Sequence, residues 1–204
     1  MDDLTKQVVS LRYWLTGKEY YDALRAMEFA MRYHTGTRKD GATPEFSHQI
    51  AINHFIRTIS TYLMYPQNTI SAVFLHDIHE DYDVPIETLR ELFGNGVANP
   101  SWLMAKKNKG MKKQLEYYYD EIADCPIASI GKGSDRIHNI QSMHSVFTLK
   151  GQKWYIEETE TLILPMLKKA RRKFPQQEMA YENIKHMLLN QIELIKAIHE
   201  AKNQ

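Results

Sequence analysis

The sequence predicts an all-α protein built as a helical bundle. Apolar residues recur at spacings of three and four along almost the whole chain, as in Leu24, Met27 and Met31, and this is the period of one helix face. Segments containing glycine or proline interrupt the pattern at intervals that suit helices of ordinary length. The predicted helices lie, to within a few residues at each end, at about 19–34, 47–63, 68–80, 85–93, 112–123, 126–144, 150–173 and 178–201.

Helix-breaking residues separate these elements in chain order. Segment 35–44 contains two glycines and a proline, and segment 93–96 contains two glycines, which permit the positive φ angles that end helices. We predict that both segments are loops and that each is a candidate to contribute to a functional site. Asp124 can cap the following helix, and Pro126 is tolerated in its first turn. The last helix, 178–201, is amphipathic and is predicted to pack on the core.

Length and charge exclude several classes of protein. A chain of 204 residues buries enough surface to fold without disulfides or a structural metal, so we expect one domain over 1–204, with its core at about 19–173. Any metal site is then expected to serve chemistry. The 26 Lys and Arg against 25 Asp and Glu give a net charge of +1, which argues against general nucleic-acid binding.

The chain is predicted to be cytoplasmic and not membrane-bound. Its single cysteine, Cys125, cannot form an internal disulfide, and the first 30 residues lack the apolar core of a signal peptide. No apolar stretch approaches the roughly 18 residues needed to span a bilayer. Whether identical chains associate is left open by the sequence.

The block His76-Asp77-Ile78-His79-Glu80-Asp81 carries the strongest chemical signal. On one helix, Glu80 would lie a turn beyond His76 and Asp81 a turn beyond Asp77. Such a concentration of negative charge needs shifted pKa values, cationic partners or a divalent metal ion. A polar cluster at a helix end would explain the block alone equally well. His48 and Asp135 are well placed in the sequence to supply further ligands, and they favour the metal interpretation.

These residues occur in an order that resembles the HD-domain hydrolases of the RelA/SpoT type, in particular the small single-domain alarmone hydrolases. The matching blocks are segment 34–41, with Arg38-Lys39-Asp40-Gly41, then His48, then 76–81, then Asp135-Arg136 with Asn139. The chain departs from the family at Gln49, where proline commonly follows the histidine. It departs again at Gly133-Ser134, which replaces the usual Leu-Ala before the aspartate.

The resemblance implies an HD-domain helical fold and a metal-dependent phosphohydrolase. It implies that one divalent ion, usually manganese, is held by His48, His76, Asp77 and Asp135. Glu80 and Asp81 would be the catalytic carboxylates that orient or deprotonate a metal-activated water. The reaction would remove the 3′-pyrophosphate of guanosine tetra- or pentaphosphate, (p)ppGpp.

Cationic and amide side chains are predicted to bind the nucleotide. Arg38 can grip a phosphate through two hydrogen bonds while Lys39 acts as a point charge, and Asn139 offers a neutral amide. Counted from the shared Phe-Gly pair, Lys112 coincides with a phosphate-contacting lysine of the metazoan small hydrolases. The lysine-rich run 106–113 has an alternative interpretation as a solvated loop.

Nearby residues receive structural interpretations. His138 is predicted to be a core or surface histidine, Arg136 to pair with a neighbouring acid, and Lys132 to cap a helix. Tyr155 is first interpreted as a packing residue, although one of the aromatic residues around it could stack on a base.

Two other functions compete with (p)ppGpp hydrolysis. The same chemistry could act on another nucleotide, either a deoxynucleoside triphosphate or NADPH, because a fold does not fix a substrate. A non-catalytic nucleotide-binding regulator could keep the pocket without the reaction. A hydrolase of (p)ppGpp could also act as the neutralising partner of an alarmone synthetase or toxin.

Overall fold

The computed structural model describes residues 2–108, 111–112, 114–144 and 146–201, with the backbone alone at 108, 111, 112 and 116. In these ranges the regular structure is helical apart from one two-stranded hairpin, so the predicted all-α class is confirmed. None of the described helices has the length and apolar character needed to cross a membrane. The helices are α1 Asp3–Gly17, α2 Tyr21–Tyr33, α3 Ser47–Ile59, α4 Pro66–Leu75, α5 Ile78–Asp81, α6 Ile86–Phe93, α7 Asn95–Met104, α8 Leu115–Ala123, α9 Pro126–Met143, α10 Leu149–Glu158, α11 Leu164–Lys173 and α12 Glu178–Ala201.

Short elements join some of these helices. A 3₁₀ turn at Ser60–Tyr62 extends α3, and another at Pro175–Gln177 precedes α12. Strand β1, Lys107–Asn108, pairs antiparallel with β2, Met111–Lys112, between α7 and α8. This hairpin explains why α8 begins later than the predicted start at 112.

The predicted helix at 68–80 is wrong in one respect, because the structure divides it at His76 and Asp77. Helix α4 ends at Leu75, and the carbonyl oxygen of Asp77 accepts hydrogen bonds from the amides of Glu80 at 3.2 Å and Asp81 at 2.9 Å. These bonds start α5. The four polar residues of the block therefore lie in a turn and a new short helix, not along a single helix.

The predicted helix at 150–173 is also divided, by a π-helical turn at Thr159–Ile163. Pro165 lies in the first turn of α11 and has no N–H group for the regular helical hydrogen bond. The wider π turn lies directly before this proline, where a helix has to adjust its hydrogen bonding.

Two helices are absent from the prediction. Helix α1 is capped by Asp2, whose side chain accepts a hydrogen bond from the amide of Thr5 at 2.8 Å, and it contributes Leu11 and Leu15 to the core. Helix α7 begins immediately after Gly94, which adopts a φ of 74°. Segment 93–96 is therefore a tight corner between α6 and α7.

Helix α4 lies at the centre of the fold. Every residue from 69 to 75 is buried, and α2, α3, α7 and α9 all pack against this helix. Burial of an apolar residue on this scale contributes roughly 1.5–3 kcal/mol to stability. The arrangement brings His76, which directly follows α4, close to polar side chains of α3 and α9.

Two glycines let other helices approach α9 closely. A Cβ atom at Gly133 would lie 2.8 Å from Cγ2 of Ile184 in α12 and 3.0 Å from Cδ2 of Leu167 in α11. A Cβ atom at Gly131 would lie 2.5 Å from the sulfur of Met104. The departure from the family at Gly133 thus has a structural reason, because α12 packs against α9 where a larger residue would not fit.

Candidate active site

Four side chains that the sequence predicts as metal ligands converge in the structure. His48 lies in the first turn of α3, His76 and Asp77 lie between α4 and α5, and Asp135 lies in α9. Nε2 of His48 is 3.1 Å from Oδ1 of Asp135 and 3.8 Å from Oδ2 of Asp77. Nε2 of His76 is 3.1 Å from Oδ1 of Asp77 and 3.9 Å from Oδ1 of Asp135.

Three of these residues form a potential metal-binding group. In the described part of the chain, possible ligand atoms of His48, His76 and Asp77 all lie within 4.8 Å of one another. Asp135 adjoins the group through both histidines. Imidazole nitrogens and carboxylate oxygens form a donor set that suits borderline to hard divalent ions.

His76 is oriented in the way that metal-binding histidines usually are. Its Nδ1 is 2.7 Å from the carbonyl oxygen of Val73 and donates to it, because a carbonyl can only accept. The lone pair is then on Nε2, which is buried and makes no hydrogen bond within the described residues. A buried polar atom without a partner costs about 1–3 kcal/mol, a cost that a bound cation removes.

His48 is oriented by a second histidine. Nδ1 of His48 and Nδ1 of His138 are 2.8 Å apart, so one ring donates and the other accepts. Burial, together with the nearby His48 and Arg38, lowers the pKa of His138 to about 3. His138 is therefore neutral at pH 7. When its Nδ1 accepts from His48, the Nε2 of His48 keeps its lone pair for a ligand.

Asp135 is ionised despite its burial. Burial opposes the charged form, but the ammonium of Lys132, with Nζ 3.0 Å from Oδ2, holds its pKa well below the usual range. Nδ2 of Asn139 donates to Oδ1 at 2.6 Å. Lys132, which lies within α9, therefore neutralises a buried carboxylate of the same helix.

The two predicted catalytic carboxylates lie beside this group and line the same cavity. Oε2 of Glu80 accepts a hydrogen bond from the main-chain amide of Lys106 at 2.8 Å, and Nζ of Lys107 is 3.7 Å from its Oε1. Partial burial and the charges of Asp77, Glu80 and Glu45 raise the pKa of Asp81 to about 6. The two neighbours thus occupy different electrostatic environments.

The cavity has a volume of about 490 Å³, which is large enough for a nucleotide. One wall is the predicted site loop at 35–44, where Thr37 and Pro44 form an isolated bridge. The side chain of Asp40 accepts from the amides of Ala42 at 3.0 Å and Thr43 at 2.9 Å, and these bonds fix the turn. Segment 93–96, the other predicted site loop, does not line this cavity.

Three of the four predicted substrate-binding residues line the cavity: Arg38, Lys39 and Asn139. Nη2 of Arg38 lies 3.4 Å from Oγ of Ser142, and Nζ of Lys39 lies 5.2 Å from the centre of the Phe147 ring. The amide nitrogen of Asn139 is engaged with Asp135. The side chain of Lys112 lies outside the described residues. The roles of all these residues stay predictions.

Sequence reasoning missed several residues of the site. Gln49 and Lys106 line the cavity and touch Asp77 and Glu80, and His138, predicted as a core or surface residue, contacts His48. The signal for Gln49 was its adjacency to His48. The contact of Lys106 joins residues 26 positions apart, and no local pattern indicates it.

A buried ionic cluster forms part of the wall of the cavity. The guanidinium of Arg136 pairs with Glu158 and stacks over the ring of Tyr155, with 4.1 Å between its carbon and the ring centre. Nζ of Lys106 is 2.6 Å from Oε1 of the same glutamate. The predicted pairing of Arg136 with an acid is confirmed, although the acid is 22 residues away along the chain.

Comparison with known proteins relates the chain to enzymes of alarmone metabolism. A probable guanosine-3′,5′-bis(diphosphate) 3′-pyrophosphohydrolase of Synechocystis sp. is 26% identical over 150 residues, which cover 70% of this chain and 19% of the relative. The corresponding Aquifex aeolicus enzyme is 29% identical over 147 residues, covering 70% and 20%. A GTP pyrophosphokinase of Streptomyces coelicolor is 31% identical over 144 residues, covering 68% and 16%. The chain therefore spans about a fifth of the length of these relatives.

A solved structure shares the fold. A metazoan ortholog of SpoT that hydrolyses ppGpp superposes with a TM-score of 0.62 at 19% identity, over 80% of this chain and 93% of that one. No family model matches the sequence. The predicted resemblance to HD-domain proteins of the RelA/SpoT type is thus confirmed in both sequence and fold.

Proposed function

We propose that the chain is a metal-dependent phosphohydrolase that removes the 3′-pyrophosphate of (p)ppGpp. The observation that carries the proposal is the convergence of His48 and Asp77 on the buried Nε2 of His76, which makes no hydrogen bond within the described residues. His48 and Asp77 line a nucleotide-sized cavity whose wall also includes Glu80 and Asp81. Two relatives are named as pyrophosphohydrolases, and the chain shares its fold with a protein that hydrolyses ppGpp. Both findings support this substrate.

His48, His76, Asp77 and Asp135 would hold one divalent ion, for which we propose manganese. When bound, such an ion neutralises phosphate charge and lowers the pKa of a coordinated water. The protein contributes the fixed orientation of these ligands. Val73 and His138 set the two imidazole rings, and Lys132 keeps Asp135 ionised.

Glu80 and Asp81 would orient the attacking water and accept its proton at a carboxylate oxygen. Asp81, with a pKa of about 6, is mostly unprotonated at pH 7 and is more basic than an ordinary carboxylate, which suits a general base. Glu80 is held in place by the amide of Lys106. In the overall reaction, water attacks a phosphorus and the bond to the ribose 3′ oxygen breaks. The ribose oxygen takes up a proton, and GDP and pyrophosphate leave when the substrate is guanosine tetraphosphate.

Arg38 and Lys39 would bind the phosphates from the loop at 35–44. A guanidinium and an ammonium beside the carboxylates supply the positive charge that a substrate with several phosphates requires. Lys112 is proposed as a further phosphate contact from the hairpin. The enzyme would act alone or neutralise an alarmone synthetase or toxin.

The test is product release by the purified protein loaded with Mn²⁺. Guanosine tetraphosphate, a deoxynucleoside triphosphate and NADPH are supplied separately, and pyrophosphate, phosphate and nucleoside products are quantified. We expect pyrophosphate and GDP from guanosine tetraphosphate. Glu80→Gln should keep Mn²⁺ binding and lose turnover by about two to four orders of magnitude, the usual contribution of a general acid or base.

A matched control separates this effect from a general loss of surface charge. Glu91→Gln makes the same chemical change at an exposed position of α6, outside the cavity, and should turn over like the unmodified protein. Turnover of NADPH or the triphosphate alone would replace the substrate and keep the site. No turnover of any of the three would leave a binding function and refute the proposed enzyme.

A further inference from the structure

Gln49 occupies a position at the metal site that no catalytic argument above uses. It follows His48 in the first turn of α3, is 1% exposed, and contributes to the wall of the cavity. A buried amide there is costly unless its polar atoms have partners. The position is also one at which the sequence departs from the family that it resembles.

The amide nitrogen of Gln49 has a specific partner. Nε2 donates to Oδ2 of Asp77 at 3.0 Å. The opposite orientation of the amide would place Oε1 against the ionised carboxylate, so electrostatics fixes which end of the amide faces Asp77. Among the described residues, this is the side-chain hydrogen bond that the Asp77 carboxylate accepts.

The two carboxylate oxygens of Asp77 have different neighbours. Oδ1 of Asp77 lies 3.1 Å from Nε2 of His76, while Oδ2 lies against Gln49. A carboxylate held at one oxygen cannot rotate freely about its last side-chain bond. The amide therefore lowers the conformational entropy that Asp77 loses when it coordinates an ion.

The amide oxygen of Gln49 lacks the kind of contact that the amide nitrogen makes with Asp77. Oε1 of Gln49 is buried and makes no hydrogen bond within the described part of the chain. An unpaired amide oxygen costs about 1–3 kcal/mol, and an apolar side chain would avoid that cost. The hydrogen bond from its nitrogen to Asp77 is therefore the polar contact that the glutamine side chain makes at this position.

We infer that Gln49 is a positioning residue that orients Asp77 for divalent-ion binding. The inference rests on the proposed metal-dependent function and deepens it. The role that we infer for Gln49 is exerted through Asp77 and not through direct contact with the reacting atoms.

The test is the affinity of the metal-free protein for Mn²⁺, measured by calorimetry without any nucleotide. Gln49→Met removes the donor and keeps the length of the side chain, and Gln49→Asn keeps an amide that is too short to reach Asp77. We expect the Kd for Mn²⁺ to rise about 10-fold or more in both variants, the range seen when a partner of a metal ligand is removed. At saturating Mn²⁺, kcat should recover most of its value and KM should stay unchanged.

The matched control is Asn53→Leu. Asn53 is a buried amide one turn further along α3, and it donates to the main-chain oxygen of Gln49 at 2.9 Å without touching a predicted ligand. This variant should lower the thermal stability of the protein and leave the Kd for Mn²⁺ within twofold. Thermal unfolding confirms that each variant is folded before titration.

The outcomes separate the inference from the proposed function. Mn²⁺ binding by the unmodified protein, together with an unchanged Kd in a folded Gln49→Met or Gln49→Asn variant, would overturn the positioning role alone. A loss of affinity in Asn53→Leu equal to that in the Gln49 variants would also overturn it. Failure of the unmodified protein to bind Mn²⁺ would overturn both.

Discussion

Removing the negative charge of Glu158 should destabilise the protein severely. Glu158 is 4% exposed and pairs with Arg136, which is 1% exposed. The substitution Glu158→Gln leaves the guanidinium buried without a countercharge. Breaking a buried ion pair from one side typically costs about 3–5 kcal/mol, because the remaining charge stays desolvated.

The second cation on Glu158 modifies this cost only slightly. The side chain of Lys106 is 26% exposed, so its ammonium can turn toward water when the carboxylate is lost. The guanidinium of Arg136 cannot reach water in this way, since it lies over the ring of Tyr155 and donates to the hydroxyl of Tyr119 at 3.4 Å. For a chain of this length, 3–5 kcal/mol corresponds to a fall in Tm of roughly 6–20 °C.

Urea and thermal unfolding, followed by circular dichroism, measure this loss. Glu157→Gln is the matched control, because it makes the same change at the adjacent, exposed residue and should alter stability by less than about 0.5 kcal/mol. The double variant Arg136→Met/Glu158→Gln removes both charges and should be more stable than Glu158→Gln alone. A loss below about 1 kcal/mol in Glu158→Gln, or no recovery in the double variant, would refute the reasoning.

Three further predictions concern the site. Asp77→Ala should abolish Mn²⁺ binding and turnover with the helical circular dichroism spectrum unchanged, and full turnover after metal removal and restoration would contradict its assignment as a ligand. Arg38→Ala should raise KM for guanosine tetraphosphate roughly tenfold or more, the value of a charged hydrogen bond, with Mn²⁺ affinity intact; loss of Mn²⁺ with an unchanged KM would exclude a substrate contact. Burial, Lys132 and Arg136 lower the pKa of Lys106 from 10.5 to about 8, so the unfolded chain binds more protons than the folded one between these pH values. Compared with Lys106→Met, the unmodified protein should gain at most about 3 kcal/mol of stability as the pH rises from 8 to 10.5, and a flat difference in urea unfolding would contradict this pKa shift.

The sequence predicts the helices that have strong apolar periodicity and the four residues that converge at the site. Their proximity could be predicted because His76 and Asp77 are adjacent and because His48 and Asp135 lie in blocks whose order resembles a known family, and their role as ligands stays a prediction. The break between α4 and α5 was missed, since the apolar run before His76 continues into a sequence that is equally compatible with a helix. The predicted helix is divided where the buried α4, packed against α2, α3, α7 and α9, comes to its end.

The remaining contacts could not be predicted because they are long-range. Lys106 reaches Glu80 and Glu158 across 26 and 52 residues, and Arg136 reaches Glu158 across 22. No spacing rule connects such positions. The orientation of Gln49 toward Asp77 likewise depends on how α3 packs beside the end of α4, which side-chain chemistry alone does not determine.

The absence of a side chain at Gly133 links Asp135, a predicted metal ligand, to a distant part of the chain. Ile184 of α12 fills the space beside Gly133, two residues before Asp135 in α9. Shortening Ile184 would leave an empty volume against the backbone that carries Asp135, and a side chain at 133 would force the two helices apart. The packing of α12 against α9 thereby supports the backbone that carries Asp135. Natural sequence variation in α12 can alter the geometry of the site without changing any residue that lines the cavity.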